Sequence, residues 1–147
     1  MAQDITDEHY AQLLSNTDTL TGLYNRKKFD EVYTNIFKSK KQNIFLAIID
    51  LANLRELNNE YGHLVGDKYL KKLGNLLNEN TEGMFFRIGG DEFIGLTEGN
   101  EERVRVIFEK IYLDTMNLGL NPKLTISTGI GRINLLEEEE TNYSRVD

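Results

Sequence analysis

The chain has 147 residues, enough for one domain with a sizeable core, and its 39% hydrophobic and 28% charged residues belong to a globular protein. With no cysteine, disulfides and thiolate metal sites are excluded, and a net charge of −7 disfavours a general nucleic-acid binder, which usually carries a basic face. An acidic chain can still bind a nucleotide if metal ions neutralise the phosphates.

No apolar run approaches the roughly 18 residues that span a bilayer, and Met1-Ala2-Gln3-Asp4 is not a signal peptide, so the expected setting is reducing and cytoplasmic. Residues 4–17 read as a short helix with Tyr10, Leu13 and Leu14 on one face. Asp18-Thr19-Leu20-Thr21-Gly22-Leu23-Tyr24-Asn25-Arg26 is punctuated as a loop, and Asn25 is a natural N-cap. Phe29, Val32, Tyr33, Ile36 and Phe37 then fall at i, i+3, i+4, i+7 and i+8, the stripe of a helix packed on a core.

Ile44-Phe45-Leu46-Ala47-Ile48-Ile49 is a continuous apolar run with β-branched residues, which predicts a central strand buried on both faces and stopping at Asp50. A carboxylate at the end of such a strand either caps the next helix or lines a ligand site, and this segment by itself leaves both open. Leu51, Leu54, Leu57 and Tyr61 have helical spacing. Gly62-His63-Leu64-Val65-Gly66-Asp67 reads as a Gly-bounded turn, and Tyr69, Leu70, Leu73, Leu76 and Leu77 form the face of a further helix.

Next comes Arg87-Ile88-Gly89-Gly90-Asp91-Glu92-Phe93, between the apolar runs Met84-Phe85-Phe86 and Phe93-Ile94-Gly95-Leu96. Adjacent glycines between such runs predict a tight β-hairpin, because Gly accepts the positive φ that short turns demand. Two acids beside side-chain-free backbone also suit a hard cation and a phosphorylated ligand that comes close. Glu101 to Asn117 is helical, with Val104, Ile107, Phe108 and Ile111 on one face. Leu124, Ile126, Thr128 and Ile130 alternate with polar or small residues, as in an edge strand, and Glu137-Glu138-Glu139-Glu140 opens a polar tail. The order of elements predicts an α/β sandwich: a palm-like, ferredoxin-like mixed sheet with helices packed on it and the hairpin at its centre. Asp50, Asp91 and Glu92 would then meet at neighbouring strand ends, where carboxylates can share divalent cations that bridge phosphate oxygens.

In these motifs the sequence resembles the GGDEF family of diguanylate cyclases. The signature Gly89-Gly90-Asp91-Glu92-Phe93 is complete. The opening loop Asp18 to Arg26 and the segment from Asp50 through Asn58 to Gly62-His63-Leu64-Val65-Gly66-Asp67 stand in the family's order, and the resemblance runs from about Asp18 to Gly131. It implies condensation of two GTP molecules into cyclic di-GMP by two domains facing each other, hence a homodimer, with Mg²⁺ or Mn²⁺. By position it makes Asp50, Asp91 and the backbone carbonyl of Leu51 the metal ligands. Glu92 would orient or deprotonate the attacking 3′-hydroxyl, and Asn58 and Asp67 would read guanine. Gly89 and Gly90 would let backbone approach the phosphates, and Arg55 would neutralise triphosphate charge.

The family often has Asp where this chain has Ala52, and Phe where it has Leu54. Its product-inhibition Arg and Asp fall on Asn80 and Gly83, so feedback through that site is not expected. The implied division is a connector helix over 1–17 that would join a sensory domain, the GGDEF domain over 18–136 without the family's usual C-terminal basic helix, and an acidic tail over 137–147; Arg145 does not map onto that helix. The alternative function is a weak or inactive module that binds GTP for regulation.

Overall fold

A computed structural model gives the fold, with residues 6–134 described. The expectations for residues 4 and 5, for the Leu13 and Leu14 side chains and for the 137–147 tail with Arg145 lie outside the described residues. The elements run α1 (Asp7–Asn16), α2 (Arg26–Lys38), β1 (Ile44–Leu51), α3 (Leu54–Tyr61), α4 (His63–Glu79), β2 (Gly83–Gly89), β3 (Glu92–Glu98), α5 (Glu101–Met116) and β4 (Ile126–Arg132).

The strands form one sheet in the order β2-β3-β1-β4, and all three neighbouring pairs are antiparallel. Among the described residues a parallel pairing occurs only as an isolated bridge between Tyr24 and Phe86, so the mixed character lies in the layers rather than in strand direction. The central position of β1 follows from its composition: side chains alternate between faces along a strand, and both faces here are apolar. Phe45, Ala47, Ile49 and Leu51 pack with Leu57 of α3, Tyr69, Leu70, Leu73 and Leu77 of α4, and Val104, Ile107, Phe108 and Ile111 of α5. Ile44, Leu46 and Ile48 face the other way, onto Phe29, Tyr33 and Ile36 of α2.

Several local signals act as read. Asn25 caps α2, its side chain accepting a hydrogen bond from the Lys28 amide at 3.0 Å. The polar-outward β4 lies at the sheet edge. Two expectations need correction. Leu51, which shares the spacing of the following helix, is the last residue of β1, because its register opposite Ile126 continues the ladder. The turn expected over Gly62–Asp67 shrinks to Gly62, at φ 91°, and α4 has already begun at His63. Gly66 sits inside the first turns of that helix, buried. No helix among the described residues is long and apolar enough to cross a membrane.

Candidate active site

The signature hairpin joins β2 to β3 through Gly90 and Asp91 alone. Gly90 takes φ 49°, the left-handed region that glycine enters at no steric cost, and the register slips between Arg87 and Gly89. Arg87 holds this irregular tip. Its Nε and Nη2 donate to the Gly90 carbonyl at 3.2 and 2.8 Å, while Nη1 pairs with the Asp18 carboxylate at 3.2 Å. Asp18 also accepts from the Thr21 amide at 2.9 Å and the Thr21 hydroxyl at 2.8 Å. Burial pushes the Asp18 carboxyl up, but the Thr21 hydrogen bonds and the Arg87 charge outweigh it, leaving the group below its ordinary value. The Arg87 amide donates to the Tyr24 carbonyl at 2.8 Å, so the opening loop is stitched to the hairpin through backbone as well. From the sequence, Asp18 reads as loop punctuation, and Arg87, the first residue of the signature stretch, carries no role of its own. The available signal was a cation interrupting an apolar strand, which demands a buried or half-buried partner.

The carboxylates converge at the other side of the tip. Asp50 of β1 stands directly opposite Glu92 of β3 and, on its other flank, opposite Ser127 of β4. Strand alternation puts Asp50 on the same face as Ile48, and Glu92 on the same face as Ile94; both are the α2 face. Residues so paired have Cβ atoms about 4.5–5.5 Å apart, and like charges directly opposite are destabilising. The Leu51 amide donates to the Asp91 carbonyl at 3.1 Å, which fixes the turn against the end of β1. The donors present are hard oxygens, the set preferred by Mg²⁺ and Mn²⁺. Among the described residues no three His, Cys, Asp or Glu side chains are gathered into a ready-made cage. Magnesium is commonly held by one or two carboxylates with waters and substrate phosphates completing its shell, so a closed cage is not required for a fit. Among the described residues, and apart from its chain neighbours, a Cβ added at Gly89 or Gly90 would meet nothing within 4 Å, so the approach to the tip is open on that side.

A second group forms where α3 hands over to α4. Asn58 lies in α3, and its carbonyl accepts from the Gly62 amide at 2.8 Å. Its side-chain Oδ1 is buried, has no hydrogen-bond partner among the described residues, and rests on Gly66, one residue before Asp67. Asn58 and the start of α4 are therefore together, on the face of the sheet opposite to Asp50 and Glu92. Arg55 is exposed on the first turn of α3. Ala52 and Asn53 form the bend between β1 and α3, and the Ala52 amide is tied to the Thr125 carbonyl at 2.9 Å. Asn80 is the C-cap of α4 and accepts from the Glu82 amide at 2.9 Å, a structural job, and Gly83 opens β2.

The family model described as "Diguanylate cyclase, GGDEF domain" matches residues 15–146. The diguanylate cyclase DgcS of Shewanella oneidensis is 31% identical over 137 residues, covering 88% of this chain and 46% of that protein. The cyclic di-GMP phosphodiesterase PdeR of Escherichia coli is 34% identical over 106 residues, covering 67% of this chain and 16% of that protein. The chain thus spans less than half the length of these relatives. Among solved structures, the coiled coil and GGDEF domain of DgcB from Caulobacter crescentus, in complex with c-di-GMP, superposes with a TM-score of 0.86 at 22% identity, covering 95% of this chain and 81% of that one.

Proposed function

Because the chain belongs to the GGDEF domain family of diguanylate cyclases, we propose that it condenses two GTP molecules into cyclic di-GMP with release of two pyrophosphates. The observation that carries this reading is the pairing of Asp50 with Glu92 on adjacent strands beside an open Gly89-Gly90 tip. Carboxylates on adjacent strand ends are hard oxygen donors, and they suit a site where a divalent cation arrives with the ligand.

In this reading Asp50, Asp91 and the Leu51 carbonyl would hold Mg²⁺ or Mn²⁺, which supplies charge neutralisation along the triphosphate. The backbone at Gly89 and Gly90 receives the phosphates, since no side chain stands in the way. Arg55, exposed at the start of α3, reaches the outer phosphates. Asn58 and Asp67 read the base: a carboxylate can accept from both N1–H and the 2-amino group of guanine, a pair that adenine lacks. Glu92 orients the 3′-hydroxyl and takes its proton as the oxygen attacks the α-phosphorus of the facing GTP, whose pyrophosphate leaves. The reaction needs two such bonds in one product, so two copies must face each other, and a homodimer is the working form. A sensory domain joined at the N-terminal helix would control that encounter.

Glu92→Gln keeps size and hydrogen-bonding capacity and removes the base. The reading expects GTP binding by calorimetry to persist within about threefold, while cyclic di-GMP synthesis falls at least about 100-fold. Synthesis that survives the substitution removes Glu92 from the chemistry.

A further inference from the structure

The Asn58 carboxamide and Gly66 are in closer contact than chain neighbours on two helices normally are. A Cβ built on Gly66 would stand 1.7 Å from Asn58 Oδ1 and 2.8 Å from Asn58 Cγ. Gly66 is buried in α4, so the glycine is neither a turn residue nor a concession to positive φ: it is absent from the left-handed positions of the chain. Helix propensity alone favours Ala there by about 1 kcal/mol. The glycine therefore serves the space above it, and the three atoms nearest that space all belong to the Asn58 carboxamide.

The same side chain carries a buried acceptor without a donor among the described residues. An unpaired buried oxygen costs about 1–3 kcal/mol, and such groups are kept where a ligand or a rearrangement uses them. Held on its seat, Oδ1 has its acceptor capacity left for a donor that a ligand brings. A bulkier residue at 66 would instead lift it off its seat before any ligand arrived.

We propose that Gly66 is a positioning residue for base recognition: by leaving out a side chain it seats the Asn58 carboxamide against α4, beside Asp67, where it can meet the 2-amino edge of guanine. This rests on the reading of Asn58 and Asp67 as guanine contacts. The displaced atoms are the end of a flexible side chain, so Gly66→Ala folds, with Asn58 rather than the backbone giving way.

The test is a double-mutant cycle, with GTP and ITP titrated by calorimetry in the presence of Mg²⁺. ITP lacks the 2-amino group. Gly66→Ala is expected to weaken GTP binding about tenfold and to lower the GTP-over-ITP preference, as Asn58→Ala does, with the melting temperature unchanged or raised. In the Asn58→Ala background, where nothing remains to clash, adding Gly66→Ala is expected to change GTP affinity by less than twofold. Gly66→Ala that binds GTP as the wild type does overturns the inference, as does an equal loss in both backgrounds, which would mark a backbone effect. Wild-type protein that takes up no GTP overturns the guanine reading itself, and this inference with it.

Discussion

Gly89 and Gly90 are neighbours in the signature, yet the structure gives them different reasons to be glycine. Gly90 sits at φ 49°, where an L side chain costs about 1–2 kcal/mol, whereas Gly89 has no such constraint. At neither position does an added Cβ come within 4 Å of a described residue beyond its chain neighbours. Gly90→Ala is therefore expected to destabilise the fold by about 1 kcal/mol in chemical denaturation. Gly89→Ala is expected to leave stability within about 0.5 kcal/mol and to weaken GTP binding tenfold or more, because only a ligand uses the open space. Equal loss of stability in both would show that the protein, not the ligand, needs both glycines. At this scale much was legible: Asp50, Asp91 and Glu92 stand out as carboxylates at strand ends, and Asp50 and Glu92 do become cross-strand partners. Gly66 was not legible as a helical residue. A glycine near Gly62 reads as part of a turn, and only the packing of α3 against α4 reveals that it makes room for Asn58.

Among the elements, the opening loop and the hairpin act as one unit through Arg87. The Arg87–Asp18 pair is only partly exposed, with side-chain accessibilities of 16% and 22%, and the same guanidinium holds the Gly90 carbonyl. Arg87→Ala is expected to cost about 1–3 kcal/mol at neutral pH, the range for charge-assisted hydrogen bonds, and to loosen the tip. The sign of the pH dependence follows from Asp18, whose carboxyl the Thr21 hydrogen bonds and the Arg87 charge hold below its ordinary value in the folded state. A lowered folded value contributes stability that is present above the unfolded value and lost as pH falls through the folded one. Urea denaturation of wild type and Arg87→Ala should therefore show a stability gap at about pH 7 that narrows at about pH 3. A gap of constant size would mean that packing of the Arg87 stem, not its charge, does the holding. Sequence pattern found both elements but not their link, since the partners lie 69 residues apart. The helical stripe of α2 and the apolar run of β1 were readable because burial on one or two faces writes a period into the sequence. The early start of α4 was not, because Gly62 and Gly66 mask it.

For the whole molecule, the α2 layer, the antiparallel sheet and the α3–α4–α5 layer put Asp50 and Glu92 at one sheet end and Asn58 with Asp67 behind it. A nucleotide lying across that end would have its phosphates at the hairpin and its base at the α3–α4 junction. One such site holds half of the product, so specific activity is expected to rise with protein concentration until dimers dominate. Activity per molecule that stays flat on dilution well below any dimer detected by light scattering would exclude that arrangement. The central claim is most directly tested by incubating the purified protein at high concentration with GTP and Mg²⁺ and quantifying nucleotides by chromatography. The expected outcome is cyclic di-GMP with two pyrophosphates per product, abolished by Glu92→Gln. Bound GTP that is recovered unchanged would contradict it.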